Sequence, residues 1–227
     1  MLQTGFTQPK EFIEACREGT TALAAVGGVA WETYFSGQRA PVNKTVYLVE
    51  SVVPGSASWF FDGVEGMPLW SILAGDIQAS KALFYEVVDA LYAEPEWDFQ
   101  QRAIALAVRF MPLDFTTRIE RPPEGFPVDL RELPACPRRC QTWFERFIGT
   151  PKGFTCFKDA YVERGGFPVR EICAVLALHN LARAYDNRYV AALSSRLTHM
   201  LVTDAIREEF EGVGDQLCSY VPEFLRR

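Results

Sequence analysis

The hydrophobic pattern divides the chain into an N-terminal part with strand-like spacing and a longer part with helical spacing. In the segment KTVYLVESVV, residues 44–53, side chains alternate with a period of two from Thr45 to Glu50, and a Pro54-Gly55 turn follows. Such alternation, with many β-branched residues, is typical of a half-buried strand. The preceding run TALAAVGGVAWETYFSG is also rich in β-branched and aromatic residues. The pattern therefore predicts two to four strands in this part of the chain.

From about Gln78 the spacing changes to that of amphipathic helices. In IQASKALFYEVVDALYAE, Leu83, Val87 and Leu91 recur at helical intervals, and Pro95 ends the pattern. Similar patterns predict further helices in WDFQQRAIALAVRFM and around residues 138–149, 154–163, 167–186 and 188–210. The larger part of the chain is thus predicted to be helical.

Together the two patterns predict an α+β fold. A small β-rich N-terminal lobe would span residues 1–76, and a larger, mostly α-helical core domain would span residues 77–227. The two parts could also form one continuous domain, since 227 residues suit either arrangement. Hydrophobic residues make up 48% of the chain, which supplies ample material for a core.

Charge and composition exclude several classes of partner. The net charge is −6 and the basic residues form no dense cluster, so we expect no nucleic acid as the main partner. No apolar stretch reaches the roughly 20 residues that span a membrane. The first residues lack the pattern of a secretion signal, so the six scattered cysteines are expected to be reduced, in a cytosolic or nuclear setting.

Few residues form a pattern that suits catalysis. Cys136 and Cys140 in CPRRC lie one helical turn apart, which fits a metal clamp or redox pair, and the flanking arginines would lower a thiol pKa. The other candidate ligands are His179, His199 and isolated cysteines, and no nucleophile elbow or phosphate-binding loop occurs. We therefore expect neither enzyme activity nor a cofactor. A thiol- or metal-dependent role for Cys136 and Cys140 is the alternative.

Aromatic residues close to predicted turns are the stronger candidates for function. Exposed aromatic side chains can anchor a protein interface, because each buries a large area at little cost in entropy. The same side chains could instead fold back over the open face of the N-terminal lobe. The predicted partner-binding residues are Phe6, Trp31, Tyr34, Phe35, Trp59 and Phe60.

Three segments, at residues 61–75, 103–115 and 165–184, together resemble the non-structural protein encoded on the small segment of phleboviruses (NSs). GGFPVREICAVLALHNLARA, residues 165–184, resembles the C-terminal core helix of that family, in which a Gly-aromatic pair leads into an apolar helix with an early acidic residue. FDGVEGMPLWSILAG resembles the family's segment with a Gly and an apolar-Pro pair. AIALAVRFMPLDF resembles its Trp-Pro stretch, with Phe110-Met111-Pro112 at that place. The segments follow in the family's order over residues 61–186.

The resemblance implies a non-enzymatic viral antagonist of host innate defence. Family members bind host regulatory complexes in the cytoplasm or nucleus. One branch docks loop aromatics on the guanine-nucleotide exchange factor of translation initiation and so blocks the integrated stress response. The alternative is an interferon or transcription antagonist that recruits a transcription or ubiquitin-ligase complex. Phe84-Tyr85-Glu86-Val87 matches the letters of a short family motif for a transcription factor, on a predicted helix that would turn Phe84 and Val87 inward. A self-assembling helical protein is a further alternative.

Overall fold

The structure, a computed structural model, describes residues 14, 16–17, 25–29, 42–63, 66–92, 96–209 and 214–226. Within these residues all regular secondary structure is helical, and no strand occurs. The chain divides into two compact units, Met1–Gly66 and Met67–Arg227. The predicted α+β fold with a β-rich N-terminal lobe is therefore wrong, because the described part of the chain is mostly helical and contains no strand.

Two short helices, α1 (Asn43–Glu50) and α2 (Ser56–Asp62), contact each other in the first unit. Gly55 lies between them with a φ of 88°, a conformation that favours glycine. The carboxylate of Glu50 accepts hydrogen bonds from the backbone N–H groups of Gly55 (2.8 Å) and Ala57 (2.6 Å). These two bonds lower the pKa of Glu50 and satisfy donors at the start of α2. The carboxylate of Glu50 thus fixes one helix against the other.

The strand prediction for α1 failed because its valines fit two periodicities. Val46 and Val53 are buried, and Val49 packs against a small cluster that contains the buried residues Cys16 and Val26. The valines are three and four residues apart, which is helical spacing. The alternation and the β-branched content of the same segment favour a strand. Packing against residues that are distant in sequence favours the helix over the strand.

The second unit is built from helices, and the sequence predicts the six longest of those that lie between residues 77 and 204. The helices of this unit are α3 (Leu69–Leu73), α4 (Ile77–Leu91), α5 (Phe99–Val108), α6 (Phe115–Arg118), a 3₁₀ helix (Leu130–Ala135), α7 (Arg138–Ile148), α8 (Pro151–Arg164), α9 (Val169–Ala184), α10 (Arg188–Asp204), α11 (Ile206–Glu209) and α12 (Gly214–Phe224). The helical prediction for the larger part of the chain is confirmed. Across the described ranges, each helix is too short or too polar to cross a membrane.

Polar side chains begin several of these helices by accepting bonds from free backbone N–H groups. Asp76 caps α4, and Asn187 caps α10. Asp98 and Gln101 form a reciprocal capping box at the start of α5. Thr150 caps α8 and is followed by a proline in the first turn. These local signals determine where the four helices begin.

Helix α9 lies at the centre of the second unit. Thirteen of its 16 residues are buried. It packs most extensively against α4 and α10, and also against α3 and α5. A helix that is apolar around its whole circumference is a core element rather than a surface element. The prediction that this segment is a buried core helix is confirmed.

The paired glycine before α9 ends α8 and allows the chain to turn. Gly165 adopts the left-handed conformation, with φ of 67°, and Gly166 has φ of 113°. The carboxylate of Glu209 lies so close to Gly166 that a Cβ there would collide with it. The same carboxylate accepts a hydrogen bond from the N–H of Phe167 at 3.2 Å. Phe167 is buried, and its ring meets that of Phe110 at 4.8 Å between centroids, so the turn is fixed on both sides.

Two buried polar residues of α9 connect it to neighbouring helices. The carboxylate of Glu171, 7% exposed, accepts from Nε of Arg109 at 3.0 Å. The Nδ2 group of Asn180 donates to the carbonyl of Ile72 at 2.7 Å and to Oγ of Ser80 at 3.0 Å. Because both groups are buried, the loss of either partner would leave a polar atom without water or a hydrogen bond.

We expect the substitution Asn180→Ala to lower the free energy of unfolding by about 1–3 kcal/mol, because it removes the donor to the Ile72 carbonyl. Urea denaturation followed by circular dichroism measures this difference. Gln78→Ala is the matched control, since Gln78 is an exposed amide on α4 of the same unit. Equal midpoints for the two variants would contradict a stabilising role for Asn180.

Candidate protein-binding surface

The predicted contact residues fall into two groups in the structure. Four of them lie outside the described residues and stay predictions: Phe6, Trp31, Tyr34 and Phe35. Trp59 and Phe60 belong to α2. The expectation that these two residues sit on a turn is therefore wrong, because the segment SASWFFD is helical.

Phe60 belongs to a group of aromatic side chains that we call the aromatic surface, defined as Tyr47, Phe60 and Phe61. Tyr47 is 61% exposed and Phe61 is 43% exposed, whereas Phe60 is half-buried. The rings of Tyr47 and Phe61 are 5.7 Å apart between centroids. Phe60 meets Phe61 edge to face at 5.3 Å. The three rings thus form one continuous apolar patch across α1 and α2.

The packing of α1 explains why Tyr47 points outward. Val46 and Val49 occupy the inward side of this helix, so Tyr47 and Leu48, which directly follow Val46, lie away from it. Leu48 is 42% exposed and extends the apolar area beside the aromatic surface. Sequence reasoning missed Tyr47 because it treated the segment as a strand; the helical period of the valines was the signal that could have revealed it.

The aromatic surface has the chemistry of a protein contact rather than of a catalytic site. Clustered exposed aromatic rings are unusual on a monomer and mark surfaces that bind other molecules. Tyr47 adds a hydroxyl that can hydrogen-bond at the rim of an interface. The three side chains offer neither a nucleophile activated by a base nor a metal ligand. The arrangement can bind an apolar surface and exclude competitors from it.

The structure places Cys136 of the CPRRC segment in an environment that disfavours its thiolate form. Cys140 is buried, and Cys136 is half-buried at the end of the 3₁₀ helix. Burial, and to a smaller degree the neighbouring Cys140, raises the pKa of the Cys136 thiol. The expectation that the flanking arginines lower this pKa is therefore wrong. In the described ranges, no three or more His, Cys, Asp or Glu side chains come together as a metal site.

His179 is buried in the core, whereas His199 is exposed. Nδ1 of His179 lies 3.4 Å from Oγ of Ser194, and its ring meets that of Phe224 at 5.4 Å between centroids. Nε2 is buried and finds no hydrogen-bond partner among the described residues. Burial and, secondarily, the charge of Arg183 lower the pKa of His179 to about 4. His179 is therefore neutral at pH 7 and has the surroundings of a structural histidine.

The aromatic-x-acidic-Val motif on α4 faces the core. Phe84 is fully buried and Val87 is 2% exposed, so the inward orientation expected from the helical spacing is confirmed. Glu86 points outward and pairs with Arg170 of α9 at 2.5 Å. In this fold the motif is part of the packing between α4 and α9, and its two apolar members are inaccessible to a partner.

Comparison with known proteins adds no functional assignment. The chain matches no protein-family model, no curated protein and no solved structure. The resemblance to the phlebovirus family therefore stays a prediction, and the choice of function rests on the surface chemistry of the described residues.

We expect the protonation of His179 to lower the free energy of unfolding by roughly 3 kcal/mol as the pH is lowered from 7 to 4. The unfolded chain takes up a proton near its ordinary histidine pKa of about 6.5. The folded chain does so only near the lowered pKa of about 4. Urea unfolding across this pH range measures the effect as the difference between wild type and His179→Leu.

His199→Gln is the control, since His199 is exposed, and its stability should follow the wild-type pH profile. Parallel profiles for wild type and His179→Leu would show that His179 does not contribute.

Proposed function

We propose that this protein acts by stoichiometric, non-catalytic binding to another protein and that the aromatic surface is its contact site. The observation that carries the proposal is the pair of exposed rings, Tyr47 and Phe61, in contact with each other on adjoining helices. Aromatic residues dominate binding hot spots because they bury a large area with few rotatable bonds. A partner that covers these rings gains about 25 cal/mol for each Å² of apolar area removed from water.

The hydrogen bonds that connect the two helices support this proposal. The rings project from α1 and α2, and the carboxylate of Glu50 holds the start of α2 against the end of α1. A contact surface that is already in its bound geometry loses little conformational entropy on binding. Affinity can therefore come from a small number of side chains.

The resemblance to the phlebovirus NSs proteins supports a partner class for this contact. We propose a host regulatory complex, with the guanine-nucleotide exchange factor of translation initiation as the first candidate. Binding there would exclude the phosphorylated inhibitor of that factor and keep translation running under stress. The chain would then act in the host cytoplasm as a viral antagonist of the integrated stress response. The net charge of −6 favours a basic region on the partner.

We expect Tyr47→Ala combined with Phe61→Ala to abolish capture of the partner by the tagged protein from human cell lysate. Loss of one hot-spot aromatic weakens binding by about 30-fold or more, because each such residue contributes roughly 2 kcal/mol. Mass spectrometry of the captured proteins identifies the partner and quantifies the loss. The thermal midpoint should change little, since both rings are exposed.

Tyr185→Ala is the matched control, because Tyr185 is 45% exposed and lies in the second unit. Equal loss of partner in this control, or full capture by the double variant, would contradict the assignment. A second pair, Tyr34→Ala with Phe35→Ala, tests the anchors predicted from sequence in the same assay. Capture of a transcription or ubiquitin-ligase complex instead would keep the binding function and overturn the proposed partner.

A further inference from the structure

The turn at residues 165–168 forms one wall of an open cleft in the second unit. The cleft has a volume of about 570 Å³. Its other walls include Arg109 at the end of α5, Arg164 at the end of α8, Leu113 and Glu209. These residues are distant in sequence and come together only through the packing of the helices. The residues that line the cleft include none of the aromatic surface.

The two arginines carry more hydrogen-bond donors than the structure uses. Arg109 donates through Nε to both carboxylate oxygens of Glu171, at 3.0 and 3.2 Å. Arg164 donates through Nη2 to the carbonyl of Met111 at 3.2 Å. A guanidinium group has five N–H donors. Within the described part of the chain, no hydrogen-bond partner is present for either Nη group of Arg109. The same holds for Nε and Nη1 of Arg164.

The nearby carboxylates are already committed to other donors. Glu171 pairs with Arg109, and Glu209 accepts from the backbone N–H of Phe167. Glu163, next to Arg164 in sequence, pairs with Arg118 at 2.5 Å. Burial, followed by the charge of Arg109, lowers the pKa of Arg164, while the charges of Glu171 and Glu163 act in the opposite direction. A carboxylate in the cleft would accept hydrogen bonds from the guanidinium N–H groups that these residues leave unused.

The cleft also offers an apolar contact beside the two cations. Leu113 is 92% exposed, the most exposed of the large hydrophobic residues described. Pro168 and Gly165 belong to the same lining. The space beside Gly165 is open, since a Cβ there would meet nothing within 4 Å. A ligand that combines an anionic group with an adjacent apolar group would therefore satisfy both the guanidinium donors and Leu113.

We propose that this cleft binds an acidic peptide segment of a partner protein, with a carboxylate held by Arg109 and Arg164 and a neighbouring apolar side chain packed on Leu113. Guanidinium groups suit this task because their planar donors can bind a carboxylate through two parallel hydrogen bonds. A peptide fits the site better than a free anion does, since a free anion would leave Leu113 in water. The open form of the cleft also gives a peptide chain a way in and out.

The test titrates the ¹⁵N-labelled protein with an acetylated, amidated peptide of alternating Leu and Glu and follows the arginine Nε–Hε signals by NMR. We expect the signals of Arg109 and Arg164 to shift, because their guanidinium groups gain a charged partner. A matched peptide with Gln in place of Glu keeps the apolar groups and loses the charge. We expect it to bind at least about tenfold more weakly.

Arg164→Gln should weaken binding of the acidic peptide by about tenfold or more, because it removes one of the two cations. Arg139→Gln is the matched control, since Arg139 is 58% exposed and lies outside the cleft. Arg109 is left intact, because its removal would leave the buried carboxylate of Glu171 unpaired. If Arg164→Gln fails to fold, Leu113→Ser makes the same test at a side chain that is 92% exposed.

Wild-type affinity of Arg164→Gln, or of Leu113→Ser where the first variant does not fold, would overturn the proposal. Equal binding of the Glu and Gln peptides would overturn it as well. A parallel titration with inorganic phosphate tests whether the cleft binds a small anion rather than a peptide. Phosphate that shifts both arginine signals while the acidic peptide does not would assign the cleft to a small anion and reject the peptide.

Discussion

Helix α9 is buried along almost its whole length, and polar side chains on it contact groups on other helices. The carboxylate of Glu171 pairs with Arg109 at the end of α5, and the amide of Asn180 donates to the carbonyl of Ile72 near the end of α3. His179 approaches a hydroxyl on α10. Each of these bonds fixes the position of one neighbouring helix along the axis of α9, because a buried polar atom that loses its partner costs about 1–3 kcal/mol. The polar residues that interrupt this apolar helix thus set the register of the unit around it.

The geometry of the arginine cleft follows from this register. Arg109 can line the cleft only because Glu171 holds its Nε, which leaves its Nη groups without a partner among the described residues. The turn that leads into α9 favours glycine at position 166, because its φ of 113° is strained for a residue with a side chain. The segment at residues 165–184 therefore has a physical role that does not depend on any family resemblance. It positions one wall of a surface site as well as the core helix.

The longer helices of the second unit were predictable because their signals are local. Amphipathic spacing, the Asp98–Gln101 capping box and the glycine at the end of α8 all act within a few residues. The N-terminal part was not predictable in the same way. Its eight-residue α1 carries valines that fit a strand and a helix, and the deciding contacts reach Cys16 and Val26. A pattern read along the chain contains no information on such contacts.

The candidate sites also differ in whether a local sequence signal marks them or only the fold reveals them. Phe60 was found because aromatic residues between turn-forming residues are visible in a sequence, and Tyr47 was missed because its segment was assigned to a strand. Nothing local marks Arg109 and Arg164 as a pair, since a single arginine at a helix end is ordinarily solvated. Only the fold brings them to one cleft. Sites that depend on long-range packing stay hidden until the helices are placed.

Hydrogen exchange of the free and partner-bound protein, read by mass spectrometry, tests the account most directly. In both states we expect the amides of α9 to exchange most slowly, because this helix is the most deeply buried element described. Binding should add protection over residues 43–62, where the aromatic surface lies. Protection confined to the second unit would contradict the proposed contact surface. Fast exchange throughout α9 would contradict the core on which the fold depends.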